Sequence, residues 1–280
     1  MQAAKKFISD QLSKIYPKEE IAGITKLIFE KILKLSGIQL HLQKDDVISA
    51  ANLAEIKDIV NQLVQFKPIQ YILGESHFYG LTFKVTESVL IPRSETEELV
   101  DWIIQDYTEL APKILDIGTG SGCIPISLLL HIPKASAEAW DISEQALLVA
   151  NGNAINNKIE VNFRHIDLFK ASEEPSKYDV IVSNPPYVTD GEKGLMHQNV
   201  LDYEPHNALF VPDQDPLLFY AKIAELALID LKPNGHLYFE INEQFGQEIS
   251  ELLSSKGYVN LVLKKDLNGK DRMIKAQRLL

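Results

Sequence analysis

The chain has 280 residues, 45% apolar and 24% charged, enough for one large domain or a medium and a small one, and this composition excludes disordered, collagen-like and disulfide-scaffold classes. Lys and Arg number 28 against 39 Asp and Glu, and the net charge of −11 argues against affinity built on long phosphate tracts while being compatible with a basic protein partner or with solubility alone. The single cysteine, Cys123, forms neither an internal disulfide nor a zinc site by itself.

The opening segment MQAAKKFISDQLSKIYPKEE carries charge before an apolar signal core could form, and no stretch approaches about 18 uncharged apolar residues, so a cytoplasmic protein is expected. From residue 1 to 72 the pattern is helical. Ile21, Ile24, Leu27, Ile28, Ile32 and Leu35 recur at spacings of three and four before Gly37 as a stop, and Leu53, Ile56, Ile59, Val60 and Leu63 repeat the pattern. This predicts a small all-α N-terminal domain without a catalytic cluster. After Pro68 the segment QYILGESHFYGLTFKVTESVLIP alternates aromatic and β-branched residues around Gly74 and Gly80, which predicts a β-hairpin linker bounded at 73–93.

Ser94, with Glu97 three residues on, reads as a capping box opening a helix over SETEELVDW. A functional reading stands beside it, in which Arg93 and Glu95 shape the floor of a ligand pocket. From 94 to 280, the short apolar strands KILDIG, AEAWDI, VNFRHI, YDVIVS and HLYFEI are mostly separated by helical segments such as AELALIDL. That alternation predicts an α/β domain with a mostly parallel sheet and helices on both faces. VNLVLKKDL and RMIKAQRL flank the turn Asn268-Gly269-Lys270-Asp271, so the sheet should end in an antiparallel hairpin.

Asp116-Ile117-Gly118-Thr119-Gly120-Ser121-Gly122 lies between the strand KIL and the helical run CIPISLLL. Glycines there let the backbone turn sharply and approach a ligand, and the helix start offers free N–H groups. The spacing is G-x-G-x-G, where dinucleotide loops usually read G-x-G-x-x-G, which favours a nucleoside-bearing ligand without a diphosphate. Pro125 fits only a first helical turn and so sets the helix start close to Gly122, and Cys123 reads as a small core-facing residue rather than a nucleophile. Asp141 ends the next strand, 21 residues past Gly120, where a carboxylate can accept from both hydroxyls of a ribose. Its alternative is a helix N-cap, for which Ser143 is equally placed. Asp167, in HIDLF, is either a neighbour of the ligand's base or an exposed turn aspartate.

The strand YDVIVS ends in Asn184-Pro185-Pro186-Tyr187. Prolines cannot donate to a sheet, so the strand stops there, and ligands of such sheets sit beyond the C-terminal strand ends. The side-chain oxygen of Asn184 and the carbonyl of Pro185 form two acceptors for one planar NH2 group, as in glutamine or adenine. Acceptors converging on that group free its delocalised lone pair to meet an electrophile, and Tyr187 can pack its ring against the planar amide. A plain Asn-Pro turn is the competing reading.

Together these residues resemble class I S-adenosylmethionine-dependent methyltransferases with an NPPY motif, and within them the peptide chain release factor glutamine methyltransferases. QYILGE, FYGLTFKV, IPRSETEELV, ILDIGTGSG, YDVIVSNPPYV, DYEPHNALF and DLNGKDR look like that family's signatures in its order, covering residues 68 to 280. The resemblance implies a Rossmann-like methyltransferase domain behind a helical domain that recognises the substrate factor. It implies that Gly118, Thr119, Gly120, Ser121 and Gly122 cradle the methionine part of S-adenosylmethionine, that Asp141 holds its ribose, and that Asp167 and Leu168 lie at its base. Asn184 would touch both cofactor and substrate, with Pro185, Pro186 and Tyr187 completing the pocket. The implied substrate is the glutamine of the Gly-Gly-Gln motif in release factors, with no metal, no membrane and no direct nucleic-acid contact. Four positions depart from the family pattern. Ser94 stands where proline is common, Leu168 where tryptophan is, and Val211-Pro212 where glycines are. Two alternatives remain at this point: an adenine-specific DNA or RNA amino-methyltransferase, which would have to extrude its base, and a non-catalytic protein that binds release factors.

Overall fold

The computed structural model describes every residue except Ser36, residues 43–45, Glu174 and Leu280. The chain divides into two units, Met1–Gly74 with His197–Tyr203, and Glu75–Met196 with Glu204–Leu280.

In the first unit, α1 (Gln2–Leu12), α2 (Lys18–Leu33), α3 (Gly37–Leu42), α4 (Ala50–Val64) and α5 (Ile69–Leu73) follow one another. The three-and-four spacing puts Ile21, Ile24 and Ile28 of α2 on one face, buried with Ile56, Ile59, Val60 and Leu63 of α4 and with Ile8 and Leu12 of α1. Full burial of such side chains contributes about 1.5–3 kcal/mol each. Ser49 opens α4, its Oγ accepting the Asn52 N–H at 3.1 Å. The expected stop at Gly37 lies elsewhere: Lys34 adopts the left-handed conformation (φ 55°) and ends α2 at Leu33, and Gly37 opens α3. The segment 197–203 joins this unit, with the Tyr203 hydroxyl donating to the Gln65 carbonyl at 2.8 Å.

The helical pattern expected to residue 72 runs on to Leu73, so that QYIL is helical. Pro68 presets the helix entry, and its carbonyl accepts the N–H groups of Tyr71 and Ile72. The hairpin itself is β1 (Glu75–Phe78) and β2 (Leu81–Lys84), antiparallel across Tyr79 and Gly80. Both turn residues have positive φ, 47° and 76°, as a two-residue hairpin turn of matching twist requires.

The second unit continues through α6 (Ser94–Tyr107), β3 (Lys113–Ile117), α7 (Cys123–His131), β4 (Ser136–Asp141), α8 (Glu144–Asn157), β5 (Asn162–His165), β6 (Tyr178–Ser183) and β7 (Val188–Thr189). After α9 (Gln198–Tyr203), which belongs to the first unit, come β8 (Phe210–Val211), α10 (Leu218–Asp230), β9 (Leu231–Glu240), α11 (Gly246–Ser255), β10 (Tyr258–Lys265) and β11 (Asp271–Arg278). The main sheet has the order β10-β11-β9-β6-β3-β4-β5. Its neighbours from β9 to β5 are parallel, and β11 and β10 close it antiparallel, as expected from the sequence. The pleat explains the continuous apolar strands. Leu115, Ile117, Ile181, Leu237 and Phe239 face Tyr220 and Ile223 of α10, while Ile114, Val180, Val182 and Tyr238 face Leu99 and Ile103 of α6 and Ile124 and Leu128 of α7.

The chain runs from β3 outward to β4 and β5 and then returns to β6 on the other flank of β3. The C-terminal ends of β3 and β6 therefore border the switch point where sheets of this type bind ligands. The capping box does not form, because Ser94 already lies inside α6 and Arg93 occupies the cap position. Ser94 Oγ instead donates to Glu95 at 3.0 Å, and Glu97 accepts the Tyr79 N–H at 2.6 Å. Among the described residues no helix is long and apolar enough to cross a membrane.

Candidate active site

At the end of β3 the chain turns through Gly118, Gly120 and Gly122, all in the left-handed region with φ of 78°, 54° and 78°. The loop is held from several sides. The N–H groups of Gly118 and Thr119 donate to the Trp140 carbonyl of β4 at 2.9 and 3.0 Å. Asp141 accepts the Gly120 N–H at 2.8 Å through Oδ2 and the Ser143 N–H at 2.9 Å through Oδ1. Burial raises the Asp141 carboxyl above its ordinary value, against the pull of these N–H groups. The N-cap of α8 is Ser143, whose Oγ accepts the Ala146 N–H at 3.2 Å, so Asp141 is not the cap. Buried Asn153 on α8 donates to Ser121 O at 2.9 Å and to Lys84 O at 3.0 Å, and accepts the Lys84 N–H at 2.7 Å. A Cβ on Gly122 would stand 3.1 Å from Ile126 and 3.2 Å from Ala150, so the third glycine serves the close approach of α7 and α8.

Next to this loop lies a cavity of about 310 Å³. Gly118, Thr119, Gly120, Ser121, Asp141, Asp167, Leu168, Asn184, Pro185 and Pro186 line it; Gly122 and Tyr187 do not. Arg93 lines it and Glu95 does not. Asp167 fits both of its readings, since it also accepts the Phe169 N–H at 3.0 Å and pairs with Lys170 at 2.9 Å, which holds its carboxyl below the usual range. Leu168 offers an aliphatic surface. Aromatic surface comes from Phe169 and Phe219, whose rings meet edge to face at 5.5 Å and both line the cavity. Cys123 begins α7, buried, and burial pushes its thiol up to about 12. It should therefore resist alkylation in the folded protein at about pH 8 and react on unfolding. Full modification of the native protein, followed by mass spectrometry, would contradict this.

The Asn-Pro-Pro-Tyr turn is held by groups far from it in the chain. Asn184 Nδ2 donates to Thr96 Oγ1 at 3.2 Å, Thr96 Oγ1 donates to Glu240 Oε2 at 2.5 Å, and the Tyr187 hydroxyl donates to Glu240 Oε1 at 3.0 Å. The Tyr187 ring, partly buried, packs against the sheet core. Burial raises its phenol well above the usual value. The N–H groups of Tyr187 and Val188 both donate to the Leu209 carbonyl, and β7 then pairs with β8. Buried Glu204 accepts the Ile91 N–H at 3.2 Å and pairs with Arg93 at 2.6 Å, tying IPRSETEELV to DYEPHNALF.

Beneath the loop, burial pushes the Asp116 carboxyl up to about 7, and its oxygens, together with Thr119 Oγ1 and Ser121 Oγ, are buried without hydrogen-bond partners. Such orphans are rare in folded proteins. The one cue to Asp116 was an acid inside the apolar run KILDIG. Thr119 and Ser121, which line the cavity, suit the charged amino-acid end of a ligand, Asp141 suits a ribose, and Leu168, Phe169 and Phe219 suit a planar base. S-adenosylmethionine has those three parts in one molecule, so the residues present fit it.

Comparison with known proteins agrees with this chemistry. Residues 3–74 match the PrmC N-terminal domain family and residues 96–203 the methyltransferase small domain family. The release factor glutamine methyltransferase of Flavobacterium psychrophilum is 48% identical over 269 residues, covering 95% of this chain and 94% of that protein. The protein of the same name from Bacteroides thetaiotaomicron is 46% identical over 273 residues, covering 97% and 98%. A solved methyltransferase from Pyrococcus furiosus superposes with a TM-score of 0.53 at 19% identity, covering 72% of this chain and 91% of that one. At that identity the likeness concerns the fold alone.

Proposed function

The chain belongs to the release factor glutamine methyltransferases, and we propose that it transfers a methyl group from S-adenosylmethionine to the side-chain nitrogen of the Gly-Gly-Gln glutamine in peptide chain release factors. The observation that carries this reading is the meeting, in one cavity, of the glycine loop and Asp141 with Asn184 and Pro185. When bound, S-adenosylmethionine supplies an electrophilic methyl group. Gly118, Thr119, Gly120, Ser121 and Gly122 form the loop that would hold its amino-acid end, Asp141 would accept from its ribose, and Asp167 and Leu168 would flank its base.

Asn184 Oδ1 and the Pro185 carbonyl accept from the substrate NH2, orient its lone pair and stabilise the positive charge that grows on nitrogen as it is alkylated. No proton has to leave before attack; the methylated nitrogen then releases one proton to water. Pro186 stiffens the turn, and Tyr187 anchors its far side through Glu240. Residues 1–72 recognise the factor, 73–93 link, and 94–280 carry out transfer in the cytoplasm.

Incubation with labelled cofactor, a release factor and nucleic acid tests this. A mass gain of one methyl on the glutamine-bearing peptide is expected. Label confined to nucleic acid would instead indicate an adenine methyltransferase, and tight factor binding without mass gain a non-catalytic binder.

A further inference from the structure

We propose that Thr96 and Glu240 are positioning residues that fix which end of the Asn184 amide faces the substrate, an inference that rests on the reading of Asn184 given above. An asparagine amide is nearly symmetric in shape, and a half-turn about its last torsion exchanges an acceptor for a donor. A flipped Asn184 would present NH2 to the NH2 of glutamine, and the site would lose one of its two acceptors.

The chain of donors prevents the flip. Glu240, at the end of β9, is 1% exposed, and Thr96, in the first turn of α6, is 3% exposed. An ionised carboxylate only accepts, so the hydroxyls of Thr96, at 2.5 Å, and of Tyr187, at 3.0 Å, must both donate to it. A hydroxyl has a single proton. Having given it to Glu240, Thr96 can only accept from Asn184, and Nδ2 occupies that place at 3.2 Å. Oδ1 is thereby directed away from Thr96. Burial raises the Glu240 carboxyl above its ordinary value, against the two donated bonds and the positive charge of Arg272. The direction of the amide is thus set by a buried anion that does not line the cavity.

The test uses the full chain with S-adenosylmethionine and a release factor. Thr96→Val keeps the side-chain shape and removes the hydroxyl; kcat should fall about 10-fold, because the reacting NH2 is held in the wrong orientation, while KM for the factor and cofactor Kd stay within about twofold. Thr96→Ser restores the hydroxyl and should recover kcat to within about threefold of wild type. Glu240→Gln can donate to Thr96 and so turn the Thr96 proton toward Asn184; it should lower kcat in the same sense. A Thr96→Val or Glu240→Gln enzyme at the wild-type rate, alongside an inactive Asn184→Ala enzyme, overturns the inference alone. So does a Thr96→Ser enzyme as slow as Thr96→Val, which would assign the loss to packing. An Asn184→Ala enzyme at the wild-type rate overturns the underlying reading of the site.

Discussion

Asn184→Ala is expected to lower kcat by about 100- to 1000-fold while leaving S-adenosylmethionine affinity within about threefold of wild type, the range seen when one preorganised group facing developing charge is removed. The asymmetry follows from where Asn184 sits. It directly follows β6, whereas the loop, which follows β3, and Asp141, which ends β4, meet the cofactor in the proposed reading and are held by backbone bonds to Trp140 and by Asn153. Loss of the amide leaves those supports in place and removes an acceptor that matters most as positive charge grows on the substrate nitrogen. A loss in kcat, with kcat/KM falling equally, marks an interaction made in the transition state rather than on binding. Single-turnover rates at saturating cofactor, with cofactor Kd by calorimetry, measure the two effects separately. A variant that binds cofactor poorly yet turns over normally at saturation would reverse the assignment.

Asn184 was legible because its cue is local: a buried strand that ends in an amide and two prolines has few structural reasons to do so. The glycine loop was legible for the same reason, and Pro125 placed the start of α7 correctly. The sheet's antiparallel end followed from the short turn between its last two strands. Thr96 and Glu240 were not legible. They lie 144 residues apart, and each has an ordinary local reading, as a residue of a helix start and as the end of a strand. The same holds for Arg93 and Glu204, 111 residues apart. The expected capping box failed for a related reason. Ser94 and Glu97 have the right spacing, but a long-range bond to Tyr79 takes Glu97, and the helix starts early enough to place Ser94 within its first turn. Local patterns read local bonds; tertiary partners compete for the same side chains. Leu168 shows the converse, a position that looked deficient until the fold brought Phe219 beside Phe169.

Asp141→Ala should act on the other half of the site, weakening S-adenosylmethionine binding by about 1.5–3 kcal/mol, or about 10- to 150-fold, as expected for charge-assisted hydrogen bonds. The carboxylate has two tasks. It accepts the N–H groups of Gly120 and Ser143 at 2.8 and 2.9 Å, and in the proposed reading its remaining lone pairs accept from the ribose. Alanine removes both tasks, so part of the lost affinity would come from a looser glycine loop rather than from the ribose bonds. Asp141→Asn separates them only partly, because its NH2 must face either a backbone N–H or a hydroxyl that can turn to donate or accept. The asparagine variant should therefore bind more tightly than the alanine variant and less tightly than wild type. Melting temperatures with and without cofactor provide the second readout, since a ligand stabilises the native state by RT ln(1 + [L]/Kd). A loop effect lowers the melting temperature of the free protein and shrinks the cofactor-induced rise only by the affinity lost through the loop. Loss of that rise, with the free protein melting within a few degrees of wild type, is the result expected if Asp141 holds the ribose; an undiminished rise would remove it from the binding site.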